Sequence, residues 1–199
     1  MSIRIRTIIM ILIVLGAVFL YGRYYLTHYG ISARAKPSRI EEFLARNLRD
    51  LAIPASARDL KNPISLTPEN FPEASGHWME HCATCHAPDG GGDTVIGRNI
   101  YPKAPDMKSS AVQDLTDGEI FYIISNGVRL TAMPAWGDED SPDDIWKLVA
   151  FIRRLPKLTP QEIDEMKEAA EHEHEADQVA DPSRAEHGQA SPHQHEHKH

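Results

Sequence analysis

The sequence predicts an all-α protein with long loops, preceded by one N-terminal transmembrane helix. Apolar residues recur at helical spacing in several segments, and no segment alternates convincingly as a strand. An uncharged apolar run also opens the chain, from Thr7 to Gly22. The length of 199 residues suits one domain with appendages. The formal net charge of −8 is concentrated in residues 159–199, which hold 11 Asp/Glu against 3 Lys/Arg. The rest of the chain is balanced, so it carries no bulk charge suited to nucleic acid.

Residues 1–30 read as a membrane anchor. The run from Thr7 to Gly22 would span about 24 Å as a helix, slightly less than the roughly 30 Å hydrocarbon core. Tyr24, Tyr25 and Leu26 extend it, with Arg23 snorkelling to the headgroups and the tyrosines forming an interfacial belt. A cleaved signal peptide is the competing reading. Ala33-Arg34-Ala35 loosely fits a small-x-small site, but it lies well past the apolar run, behind bulky Tyr and His residues, which favours an uncleaved anchor. Arg4 and Arg6 precede the run, and Arg23, Arg34, Lys36 and Arg39 come after it. Charge alone therefore leaves the orientation ambiguous.

Residues 31–67 read as a spacer with a short amphipathic helix. Ser38 and Glu41 fit a capping box. Ile40, Phe43, Leu44, Leu48 and Leu51 come next at helical spacing, and Pro54 ends the pattern. This helix is expected either to pack on the domain or to lie on the membrane.

The compact domain is expected over residues 68–158. Its first helix covers about Pro72 to Thr84. A Gly- and Pro-rich stretch runs from Pro88 to Ser110. A second helix opens at Thr116 with Glu119 in a capping box, and Gly127 suits its C-terminal cap. The last opens at Ser141-Pro142, buries a stripe of Ile145, Leu148, Val149, Ile152 and Leu155, and stops at Pro156. Loops this long are unusual in a compact domain unless they wrap something large and apolar.

Cys82-Ala83-Thr84-Cys85-His86 supplies the reason. The two cysteines are the only ones in the chain, too close in sequence for a disulfide framework and too few for a zinc site. A bare Cys-x-x-Cys is a redox dithiol or half a metal site, whereas the adjacent His86 makes it a covalent haem-attachment motif. Two thiols at i and i+3 project from one helical face and reach one side of a porphyrin, with His86 placed to ligate the iron. A sixth ligand must come from the opposite face. Met79 is on the same helix and Met166 lies beyond the expected domain, which leaves Met107 and Met133.

Four segments together resemble class I cytochromes c, most closely the small membrane-anchored bacterial monohaem members. They are Gly76–His86, the Tyr-Pro-Lys-Ala-Pro-Asp stretch ending at Asp106, the Asn126–Trp136 loop with its Met-Pro-Ala-Trp, and the helix from Ile145 to Arg153. The resemblance spans roughly residues 68–158, and it implies one covalent haem c. In it Cys82 and Cys85 form the thioethers, and His86 and Met133 are the axial ligands of the iron. A carbonyl of Pro102 or Pro105 would accept the His86 Nδ1 proton. Gly76 would sit where the first and last helices cross. Arg98, Arg129 and Trp136 are candidates for haem propionate contacts. With both axial positions filled, the implied activity is outer-sphere transfer of single electrons between respiratory-type redox partners at the membrane. Haem attachment of this kind takes place on the exported side, which implies a single-pass protein of the bacterial cytoplasmic membrane with its haem domain in the periplasm. The alternatives are a non-catalytic haem subunit of a larger oxidase or dehydrogenase, and a haem enzyme or sensor with a labile sixth ligand.

Residues 159–199 form an acidic tail. Gln161 to Gln178 is helix-prone, but its apolar stripe is weak, and the composition as a whole predicts disorder. His172, His174, His187, His193, His195, His197 and His199 lie among carboxylates, a mixture that can bind Cu(II), Ni(II) or Zn(II). His77 and His81 are expected as surface residues rather than ligands.

Overall fold

The computed structural model describes residues 3–180, which contain helices and no strand. The first helix, α1 (Ile3–Tyr29), has 27 residues and is about 40 Å long. Within its apolar span from Arg4 to His28, an 18-residue stretch has a mean hydropathy of 2.3 and no residue buried against the rest of the chain.

Helix α2 (Arg39–Ala52) starts where the sequence places it, with Ser38 and Glu41 closing both halves of the capping box. Helix α3 (Ala55–Arg58) begins directly after Pro54, an element that four residues are too short to signal in a periodicity. It docks on α8 (Asp117–Asn126) through buried Ala57 and an Arg58–Glu119 ion pair at 3.4 Å.

The expected first helix of the domain forms as one run with a change of pitch inside it. Helix α4 (Phe71–His77) passes into a π-helical turn (Trp78–Cys82) and then into α5 (Ala83–His86). The π turn adds a residue to the turn and rotates α5 relative to α4, a feature often found beside functional sites. The Gly/Pro-rich stretch contains one short helix, α6 (Val95–Asn99), and ends at α7 (Ser110–Gln113). Helix α8 carries the expected Thr116–Glu119 capping box and ends at Gly127. Helix α9 (Pro142–Arg154) is capped by Ser141 and runs into a 3-10 turn (Leu155–Lys157).

The core lies where α4, the π turn and α8 meet α9. Its fully buried side chains are Trp78, Ile145, Leu148, Val149, Phe151, Ile152 and Leu155. The Phe151 ring contacts both Phe71 and Trp78, at centroid distances of 5.8 and 5.5 Å. Asn62 Nδ2 donates to the Trp146 carbonyl at 2.9 Å and pins the spacer to α9. Arg153 donates from Nε to Asp117 at 2.9 Å, and from its terminal nitrogens to the carbonyls of Gln113 and Leu115, tying α9 to the α7–α8 junction.

Two expectations are corrected. Gly76 makes no close helix crossing, since a Cβ there would meet no atom within 4 Å; the small side chains that α4 buries are Ala74 and Ser75. The start of the tail is also not disordered. Pro160–Ala180 forms α10, which packs on α4 and the π turn and buries Met166 to 5 % exposure within the core. The signal was Thr159-Pro160-Gln161-Glu162, a capping box with proline at the first helical position. The Thr159 and Glu162 side chains each accept from the other's backbone N–H, at 3.2 and 2.7 Å. Residues 181–199, with five of the seven tail histidines, lie outside the described residues.

Because Phe151 fills the middle of this core, Phe151→Ala should cost about 3–5 kcal/mol. Chemical denaturation of the full chain monitored by helical circular dichroism checks this.

Candidate functional site

Trp78 organises the attachment segment. It is 1 % exposed, and its indole N–H donates to the Ala87 carbonyl at 3.2 Å across the whole of α5. Its ring stands 5.9 Å from that of His86. Ala87 holds φ 66°, ψ 156°, a region that residues other than glycine avoid and that costs on the order of 1–3 kcal/mol. The chain therefore turns sharply immediately after His86, and the Trp78 hydrogen bond helps to hold that turn.

Cys82 and Cys85 are both unpaired and half-buried. Burial, then the Asp140 carboxylate, then Cys85 push the Cys82 thiol up to about 12. A thiol held protonated at neutral pH is a poor nucleophile, the reverse of the lowered pKa that redox dithiols need. This is not the environment of a redox dithiol.

His86 is mostly buried, and burial lowers its pKa. The Pro105 carbonyl partly offsets that shift, but without full hydrogen-bond alignment, so Nδ1 is buried and unsatisfied. Of the two prolines considered, Pro105 is the one whose carbonyl faces His86. Pro102 is exposed and sits after a cis peptide bond from Tyr101.

α6 is locked onto the attachment helix. Thr94 Oγ1 caps α6 by accepting from Gly97 N at 2.8 Å, and donates to the Thr84 carbonyl at 2.7 Å. A Cβ at Gly97 would overlap the Cys85 carbonyl oxygen, so only glycine allows this approach. Sequence reasoning assigned no role to Trp78, Thr94 or Gly97. The Thr94-x-x-Gly97 spacing resembled any short cap, and nothing in it pointed to Cys85.

Met133 lies on the loop after α8. Gly127 turns that loop at φ 64°, and a Cβ there would meet the backbone of Met133, Pro134 and Ala135 at 2.7–2.8 Å. Val128 N donates to the Met133 carbonyl, and Trp136 N to the Ile124 carbonyl, which folds the loop back along α8. Met133, Met107 and Trp136 are each partly buried against the core. Met107 is held in the loop between α6 and α7, its N–H donating to the Gly90 carbonyl at 2.8 Å. Arg98 pairs with Asp93 and Arg129 is exposed.

His77 departs from the surface position expected for it. Its side chain is 18 % exposed, with Nε2 3.1 Å from Asp140 Oδ2. His81 is the more exposed, its ring 5.0 Å from that of His77 and 4.9 Å from that of Trp136. Among the described residues, no group of three His, Cys, Asp or Glu side chains could hold a metal ion directly.

These residues fit a haem c. Two unpaired cysteines are available on one helical run, a histidine stands next to them with a buried Nδ1 turned towards a backbone carbonyl, and thioether side chains lie on the loops. In haem-free protein, iodoacetamide should alkylate Cys82 far more slowly at neutral pH than it does a free model thiol, read by peptide mass spectrometry. Gly97→Ala should push α6 off Cys85 and cost on the order of 1–3 kcal/mol, read from the thermal midpoint.

Residues 69–152 match a family model described as cytochrome C oxidase, cbb3-type, subunit III. The match encloses the attachment segment and the Met133 loop, and leaves out α1, α2 and α10. No curated protein matches the chain. With the all-helical fold and the Cys82–His86 segment, that match identifies residues 69–152 as a class I c-type cytochrome domain, a haem-binding module for electron transfer.

Proposed function

We propose that the chain is a membrane-anchored monohaem cytochrome c that passes single electrons between redox proteins at the bacterial cytoplasmic membrane, with its haem domain on the periplasmic side. The observation that carries this is the Cys82–His86 segment, with both thiols unpaired and His86 beside them, inside the region that matches the cytochrome family. When bound, the haem supplies an iron that alternates between two oxidation states.

The chain's residues divide the remaining work. Cys82 and Cys85 would each add across a vinyl group of the macrocycle, so that a small domain keeps its cofactor while leaving one edge open. His86 would ligate the iron, with the Pro105 carbonyl fixing the ring through Nδ1. Met133 would supply a second ligand to the iron, since its loop is braced on both sides by Gly127 and Trp136. A histidine–methionine pair raises the reduction potential and leaves no position for a substrate. The α1 tether would raise the effective concentration of the domain near membrane partners.

A second reading is a haem subunit of an oxidase. It is supported by the description of the matching family, which names such a subunit. Solubilisation and co-purification from a native membrane separate the two: recovery of the chain alone favours a free carrier.

The full chain matured in a haem-competent host should gain the mass of one haem and show one c-type α-band; a colourless product would overturn the proposal. Met133→Ala should lower the reduction potential and let the ferrous protein bind carbon monoxide. An unchanged potential and spectrum in redox titration would remove Met133 as a ligand and leave Met107 to be tested in the same way.

A further inference from the structure

Helix α2 is built inside out. A helix on a globular domain turns its apolar stripe to the core, but Ile40, Phe43, Leu44, Leu48 and Leu51 are all 52–80 % exposed. They lie within one stripe along the helix. The groups that hold α2 to the domain are polar. The Tyr101 hydroxyl donates to the Glu41 carboxylate, and Arg58 donates to the Asp50 carbonyl. The helix is thus fastened by its polar side, with its apolar side facing outward, and no α2 side chain is buried.

What covers this face is indicated by its surroundings. α1 ends at Tyr29 and α2 begins at Arg39, so the connection is short. Nine residues join the two helices, and the Tyr101 hydroxyl holds the first turn of α2 through Glu41, so the end of the apolar span, the start of α2 and the Tyr101 loop lie close together. From Arg23 to Arg39 the chain carries Arg23, Arg34, Lys36 and Arg39 and no acidic residue, which complements anionic lipid headgroups.

We infer that α2 lies in the headgroup region of the membrane that α1 enters, its apolar stripe sunk among the upper acyl chains, and holds the cytochrome domain in a defined orientation on the bilayer surface. An exposed stripe of this width opposite a charged face is the pattern of an interfacial helix. The inference rests on the anchor reading of α1. Together the two would give the domain two attachments, which restricts its rotation as well as its distance from the membrane.

The test uses the haem-loaded full chain in vesicles of phosphatidylethanolamine and phosphatidylglycerol that carry a photoactivatable diazirine on the acyl chain, with adducts mapped by mass spectrometry. Adducts are expected on Phe43, Leu44 and Leu48 as well as on Leu15 and Leu20 of α1, and not on Arg46 or Arg49. Adducts on α1 alone would overturn the inference and leave the anchor standing, whether water or a protein covers α2. A blank α1 would overturn the anchor and this inference with it. The double variant Phe43→Glu, Leu48→Glu changes only exposed side chains. It should lose the α2 adducts while keeping those on α1 and an unaltered α-band; persistence of the α2 adducts would show that labelling does not depend on the apolar face and would also overturn the inference.

Discussion

The buried indole of Trp78 is the interaction on which the site depends. Its ring is fixed from one side by Phe151, in the middle of the α9 stripe, and its N–H reaches over α5 to the Ala87 carbonyl. The attachment segment is therefore held at both ends. The π turn sets its rotation at Cys82, and the strained Ala87 ends it directly after His86. A helix of four residues has no stability of its own, so the position of His86 is inherited from the core. The same core extends to α10, whose Met166 covers the far side of α4 and the π turn.

The loops around the site are tied to the helices in a related way. Each is closed by a few directional bonds to a helix or a neighbouring loop. Thr94 joins α6 to the Thr84 carbonyl, Met107 is held by the Gly90 carbonyl, and the Met133 loop lies back along α8. The polar groups in these stretches are paired locally, while partly buried Met107, Met133 and Trp136 lie against the core. Loops arranged in this way can surround an apolar group without leaving backbone donors and acceptors unsatisfied. Among the described residues, the buried side-chain atoms without a hydrogen-bond partner are Arg58 Nε, His77 Nε2, Asp140 Oδ2 and His86 Nδ1, and the last faces the Pro105 carbonyl.

Charge is distributed to match. The cations between Arg23 and Arg39 lie where α1 gives way to α2, residues 68–158 carry 14 Asp/Glu against 8 Lys/Arg, and a further acidic excess follows in residues 159–199.

Much of this was legible from local chemistry. The attachment motif, both capping boxes at Ser38 and Thr116, the Ser141-Pro142 start of α9 and its buried stripe depend on residues within a few positions of one another, and short-range sterics and hydrogen bonding act there whatever the rest of the chain does. Tertiary structure decided what involves distant partners. It chose Pro105 over Pro102 to face His86, put Trp78 and Gly97 in contact with the attachment helix, and brought His77 to Asp140. It also made an acidic segment with a weak apolar stripe into α10, which is capped at Thr159 and buries Met166 in the core, and it left the strong stripe of α2 uncovered. Amphipathicity records how much apolar area a helix can bury, but only the assembled chain determines which surface is there to receive it.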